Sequence, residues 1–204
     1  MTIRLHRGDL PDISRYRGAV AIDTETMGLD LNRDRLCVVQ LSPGDGSADV
    51  VQIAAQQSDA PNLKRLLADK SLLKIFHFAR FDLGMLYKAF GVMPEPVFCT
   101  KIASRLARTY TDKHGLKDLV REVLGQDISK QQQSSDWGSR ELSEAQISYA
   151  AADVTHLHAL KAKLEAMLAR EGREQIAAAC FRFLPDRVRL DLAGFAGEDI
   201  FAHS

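Results

Sequence analysis

Four acids stand in apolar company in this 204-residue chain: Asp23 and Glu25 in AVAIDTETMGLD, Asp82 in HFARFDLGML, and Asp153 in YAAADVTHL. Strand geometry puts residues i and i+2 on one face, so Asp23 and Glu25 project together. Two carboxylates side by side repel, and each raises the other's pKa. Such a pair persists best with a cation between its oxygens, and an oxygen-only donor set suits Mg²⁺ or Mn²⁺. Taken alone, a two-acid match is more often a plain solvated strand end. Asp82 opens a helix directly after a strand, where its carboxylate can point at the C-terminal edge of a sheet. Alone, it is better read as an acid that favours the helix dipole. Asp153 shares a helix face with Tyr149, four residues earlier, with only alanines between them at positions 150–152. A lone pair of this kind is usually a hydrogen-bonded pair beside the core. An acid inside an apolar stretch nonetheless needs a partner, and no Lys or Arg lies on that face nearby.

Rigid elements must hold these groups. AVAID (19–23), LCVVQLS (36–42) and ADVVQI (48–53) are strand-length and apolar, and SPGDGS between the last two is a hairpin connection. Together they predict a three-stranded antiparallel meander. APNLKRLLADK (60–70) has helical apolar spacing with Pro61 near its start. LLKIFHF (72–78) predicts a fourth strand, RFDLGMLYKAFG (80–91) a helix stopped by Gly91, and VFCT (97–100) a short fifth strand. KIASRLAR and GLKDLVREVLG are short amphipathic helices, while residues 128–142 are polar and loop-like. Ser143 and Gln146 form a capping box that opens one long helix through ISYAAADVTHLHALKAKLEAMLAR. A last helix is expected from about Glu174 to Leu184, ending before Pro185, with a helix-free apolar tail beyond. Strands with interleaved helices, then a helical half, predict an α/β fold: a mixed five-stranded sheet covered by helices.

Composition narrows the function. Lys plus Arg and Asp plus Glu each total 27, so the formal charge is zero. That argues against gripping long nucleic acid by bulk counterion release, and leaves a short or locally held one open. With 46% hydrophobic residues the chain can bury a full core, and 1–204 reads as a single domain with 185–204 as a tail. Cys37, Cys99 and Cys180 are scattered without CxxC spacing, as expected of reduced thiols in a cytoplasm. The N-terminus lacks a signal-type apolar region, and no apolar run approaches the roughly 20 residues of a membrane helix. A cytoplasmic protein without membrane association is the expectation.

The motifs DTET, HFARFD and YAAAD, in this order, resemble the three exonuclease motifs of the DEDD superfamily of 3′–5′ exonucleases. Tyr149 four residues before Asp153 looks like the tyrosine subclass; the histidine subclass would want His where Ser148 stands. SDWGSRELSEAQISYAAADVTHLHAL resembles the third-motif region of ribonuclease D, including Trp137. Glu141 departs from that pattern, where ribonuclease D usually has proline, and its C-terminal nucleic-acid-binding domains have no counterpart here. The short relatives of the nanoRNase C group are a closer resemblance, through MGLD, RDRLCVVQLS, KQQQSSDW and the DIFAHS end.

The resemblance implies a ribonuclease H-like fold and two-metal phosphodiester hydrolysis with two divalent ions, Mg²⁺ or Mn²⁺, about 4 Å apart. By family position Asp23 bridges both ions, Glu25 and Asp153 hold the nucleophile-side ion, and Asp82 holds the other. Tyr149 orients the attacking water rather than acting as a base, since an ordinary tyrosine, with a pKa near 10, stays protonated at neutral pH. Thr24, Met27, Gly28, Leu29, His77 and Phe81, with Lys130 and Gln133 of KQQQSSDW, are the candidate substrate contacts. Met27 and Leu29 each read as a core residue; the alternative is that Leu29 wedges against or between the terminal bases. Trp137 reads more safely as a core anchor than as a stacking residue. His156 and His158 do not share a helix face; His77 and His114 fit the edge of a groove. The resemblance also implies very short RNA as substrate, dinucleotides such as pGpG included, and a homo-octameric ring in which the tail is a plausible arm. Trimming of longer RNA, DNA hydrolysis, and a non-catalytic nucleic-acid-binding module are the alternatives.

Overall fold

A computed structural model of the chain describes residues 1–128, 132 and 134–203. The sheet has six strands, in the order β1 (Thr2–Arg7), β4 (Ser47–Gln52), β3 (Leu36–Ser42), β2 (Ala19–Thr26), β5 (Leu73–Phe76), β6 (Val97–Cys99). The predicted meander is present: β2 pairs antiparallel with β3, and β3 with β4. β5 joins β2 in parallel and β6 joins β5 in parallel. β1 is the strand absent from the expected five; it pairs parallel to β4 at the edge. Its sequence, TIRLHR, alternates single apolar residues with cations and is largely exposed, so it carries no apolar run to betray it.

β3 is buried along its whole length, which is why it reads as a near-continuous apolar run. Helices cover both faces. On one face α1 (Pro61–Ala68), α2 (Ala79–Phe90) and part of α7 (Glu174–Leu190) pack on Val20, Ile22, Val39, Leu41 and Phe76. On the other, α3 (Thr100–Ala107), α4 (Leu116–Leu124), α5 (Glu144–Thr155) and α6 (Leu157–Arg170) pack on Ala21, Val38, Val50 and Ile75.

Two helix boundaries differ from expectation. The long helix breaks into α5 and α6 at His156, whose φ of −93° and ψ of −13° interrupt the regular turn. α7 runs through Pro185 to Leu190 and passes into a wider helical turn at Asp191–Phe195. Proline removes one backbone donor and crowds the preceding turn. Here Leu184, Pro185 and Val188 are all buried, so packing holds the helix past the point where sequence rules end it. The segment after Pro185 is therefore helical as far as Ala193, and the chain leaves helical geometry at Gly194, where φ is 101°. The Ser143–Gln146 capping box is formed in both directions. Among the described residues no helix is long and apolar enough to cross a membrane.

Candidate active site

The strand that carries the first two acids is longer than its apolar run suggests. β2 continues to Thr26, so Asp23 and Glu25 lie within the sheet, paired with Gln40 and Val38 of β3. Alternation sends Ala21, Asp23 and Glu25 to the face covered by α5, and Thr24 to the face covered by α2. The acids of the other motifs reach the same strand from opposite sides. α5 brings Asp153 to Asp23 and Glu25: one carboxylate oxygen from each of the three lies within 4.8 Å of the others. α2 brings Asp82, which is buried and accepts a 2.6 Å hydrogen bond from the Thr24 hydroxyl. Gln40 Nε2 donates to Asp23 Oδ2 at 2.8 Å.

This concentration of carboxylates is starved of positive charge. Among the described residues no Lys, Arg or His forms an ion pair with any of the four. Burial pushes the Asp23 carboxyl up to about 7. Burial, then the charges of Asp23, Asp153 and Asp82, push Glu25 up to about 10. Asp82 and Asp153 are raised by burial and then by Asp23. Tyr149 is raised by burial and by Asp153, so its phenol stays protonated. An oxygen-only cluster whose members resist ionisation together is the donor set that hard divalent cations complete. The residues present therefore fit a divalent metal.

The acids line an open groove of about 610 Å³. Of the eight candidate substrate contacts, Thr24, Met27, Gly28, Leu29, His77 and Phe81 line it, while Lys130 and Gln133 lie outside the described residues. Leu29 is 84% exposed and Met27 52%, which removes the core reading for both. His77 is buried at the groove floor with Nδ1 2.9 Å from the Thr100 hydroxyl, and burial, then Lys101, push it down to about 3. Trp137 is 3% exposed, and its ring centroid lies 6.0 Å from that of Tyr149, so it anchors the core beneath the tyrosine. His158 Nε2 lies 3.1 Å from the Ser42 carbonyl and His114 Nδ1 2.8 Å from the Ser104 hydroxyl, and neither histidine lines the groove.

Sequence reasoning missed several groups. Gln40 is a fully buried amide in the middle of LCVVQLS, and that misplaced polarity was its signal. Phe78, 47% exposed with Lys101 Nζ 4.4 Å from its ring centroid, and Lys117 also line the groove; Phe78 stands inside the HFARFD motif, while nothing in the local sequence marks Lys117.

A family model described as 3′-5′ exonuclease matches residues 11–169. Ribonuclease D of Granulibacter bethesdensis is 42% identical over 154 residues, which is 76% of this chain and 38% of that protein. The chain thus spans about two fifths of the length of the ribonuclease D relatives it matches first. Solved structures of Brucella melitensis NrnC match end to end. The one with bound Mg²⁺ is 63% identical with a TM-score of 0.97, and the one bound to pGG is 64% identical with a TM-score of 0.97; each match covers 100% of both chains. Escherichia coli RNase D, an exoribonuclease involved in structured RNA processing, is 29% identical with a TM-score of 0.76 over 86% of this chain and 46% of its own.

Proposed function

This chain belongs to the 3′–5′ exonuclease family of ribonuclease D and NrnC, and from that premise we propose that it hydrolyses very short RNA from the 3′ end to nucleoside 5′-monophosphates. The observation that carries the reading is the meeting of Asp23, Glu25 and Asp153 within 4.8 Å, with Asp82 buried beside them at the floor of the groove. The NrnC structure bound to pGG supports a dinucleotide-sized substrate. A formal charge of zero supports it too, since long RNA is held largely by counterion release.

Two divalent ions are the reading for the cofactor: Glu25 and Asp153 would hold the one that serves the attacking water, Asp82 the one that serves the leaving group, and Asp23 would serve both. When bound, such ions lower the pKa of a coordinated water and stabilise charge on the departing oxygen. The chain's own groups do the rest. Gln40 holds one oxygen of Asp23 and Thr24 one oxygen of Asp82, which fixes the orientation of both carboxylates beside the groove they line. Tyr149 stays a neutral phenol, so it positions the attacking water by hydrogen bonding and takes no proton from it. Assembly into a homo-oligomer, an octameric ring by family resemblance, and a cytoplasmic location complete the reading.

The deciding experiment offers labelled RNA and DNA of two to about twenty nucleotides with Mg²⁺ or Mn²⁺ and compares rates, since the preferred length separates dinucleotide turnover from trimming. Dinucleotides should be the fastest RNA substrates, and Asp23→Ala should abolish turnover while leaving the far-ultraviolet circular dichroism unchanged. Faster turnover of the longest RNA would replace this reading with trimming of RNA 3′ ends. Full activity in Asp23→Ala would remove the metal-site assignment.

A further inference from the structure

Leu29 stands exposed in the connection between β2 and β3 and lines the groove, and that connection is tied by several hydrogen bonds. Met27 N donates to Arg35 O at 3.1 Å and Asp34 N to Asp30 O at 2.8 Å. Asp30 N donates to Asp34 Oδ2 at 3.0 Å, and Asp30 Oδ1 accepts from Asn32 N at 2.8 Å and from Arg33 N at 3.2 Å. Gly28 lies so close to Asp34 that an added Cβ would stand 2.3 Å from its Oδ2.

The connection is also fastened from outside, by α2. Lys88 Nζ lies 2.7 Å from Leu31 O, 2.8 Å from Asn32 O and 3.3 Å from Asp34 O. An ammonium has three N–H donors, and here one short segment takes all three. Lys88 is exposed, and among the described residues it forms no ion pair. A surface lysine gives up considerable rotamer freedom to sit this way. Gly84, four residues earlier on the same helix face, lets Leu31 nest: an added Cβ would stand 2.9 Å from Leu31 Cδ2. Phe81, three residues earlier again, lines the acid groove. One face of α2 is thus a bearing for the segment, and the same helix carries Asp82. Lys88 itself does not line the groove.

We propose that Lys88 is a positioning residue that locks the Met27–Arg35 connection to α2 and so fixes the height of Leu29 above the acids, setting how tightly the end of a short RNA is held. The inference rests on the reading of the groove as a short-RNA site, and Lys88 acts only through the segment it holds. Lys88→Met should raise KM for a dinucleotide about tenfold, the worth of one partly buried leucine contact, with kcat within about twofold. Leu29→Ala should do the same, and the double variant should be no worse than the poorer single one, because both remove one contact. Lys88→Arg should recover most of the loss. Amide exchange in the melt-stable Lys88→Met protein should quicken at residues 30–34 while α2 stays protected. Independent, multiplying effects of the two substitutions, an unchanged KM, or a fall in kcat with KM unchanged would overturn the proposal. If the wild-type protein turns over no RNA, the exoribonuclease reading fails, and unchanged exchange at 30–34 alone then overturns the clamp.

Discussion

At the scale of single residues, the four carboxylates set against one another give this protein an inverted response to pH. Asp23 and Glu25 rise from ordinary values of 3.8 and 4.5 to about 7 and about 10. Groups whose folded pKa exceeds the unfolded one favour the fold while they are protonated. That contribution is complete below the unfolded values of 3.8 and 4.5 and is lost progressively as pH rises, by about 7 for Asp23 and by about 10 for Glu25. In chelator, the melting temperature should therefore fall with rising pH over this window more steeply for the wild type than for a Glu25→Gln variant. Added Mg²⁺ should restore the wild type more at pH 8 than at pH 5; equal restoration at both would contradict the charge-starved site. Tyr149 makes a second residue-level prediction. Because its phenol is held protonated, Tyr149→Phe should lower kcat about ten- to a hundredfold, short of a full general base, with KM nearly unchanged. Loss of binding without loss of kcat would count against its water-positioning role.

At the scale of elements, what matters is how firmly each acid's backbone is held. α5 carries Tyr149 and Asp153 and begins at a capping box in which Ser143 Oγ accepts from Gln146 N at 3.2 Å and Gln146 Oε1 accepts from Ser143 N at 2.9 Å. Ser143→Ala should cost about 1 kcal/mol, which for a chain of this size is a fall of about 2–4 °C in melting temperature. That box was legible in SEAQ because capping is local chemistry. The acids were legible for a related reason, since ionisable groups embedded in apolar runs contradict their surroundings. The meander announced itself through apolar strands and a turn of Gly, Pro and Asp. What escaped was decided at a distance. β1 exists because β4 offers it a parallel edge. α7 survives Pro185 because its flanks are buried on both sides. The partnerships of Gln40 with Asp23, Thr24 with Asp82, and Lys88 with three carbonyls join residues 17, 58 and more than 50 positions apart. No single helix, strand or loop contains both halves of any of them.

At the scale of the whole molecule, the surface carries apolar side chains in one late region of the chain. Ile176, Phe183, Phe195, Ile200 and Phe201 are exposed, and the rings of Phe183 and Phe201 lie 6.1 Å apart. Arg80 and Arg187 both engage the buried Asp191, and their Nη2 atoms lie 2.9 and 3.2 Å from the Ala196 carbonyl, which ties this region back to α2. An apolar surface so placed suits contact between copies of the chain. Light scattering at micromolar concentration should give a mass several times that of one chain, and paired Phe183→Glu and Phe201→Glu substitutions should reduce it. A monomeric wild type would remove the ring proposal.

The order of the acids along the chain has a consequence for birth on the ribosome. Asp23 and Glu25 emerge early, Asp82 later, and Asp153 only after most of the sheet has left the tunnel. Chains that fold as they are made settle their leading portions first. The sheet can thus form with two acids already side by side and their third companion still unsynthesised. The docking of α5 is then the event that completes the acid cluster, with α6 still to follow into the same layer, so the metal-binding donor set does not exist until about three quarters of the chain has been made.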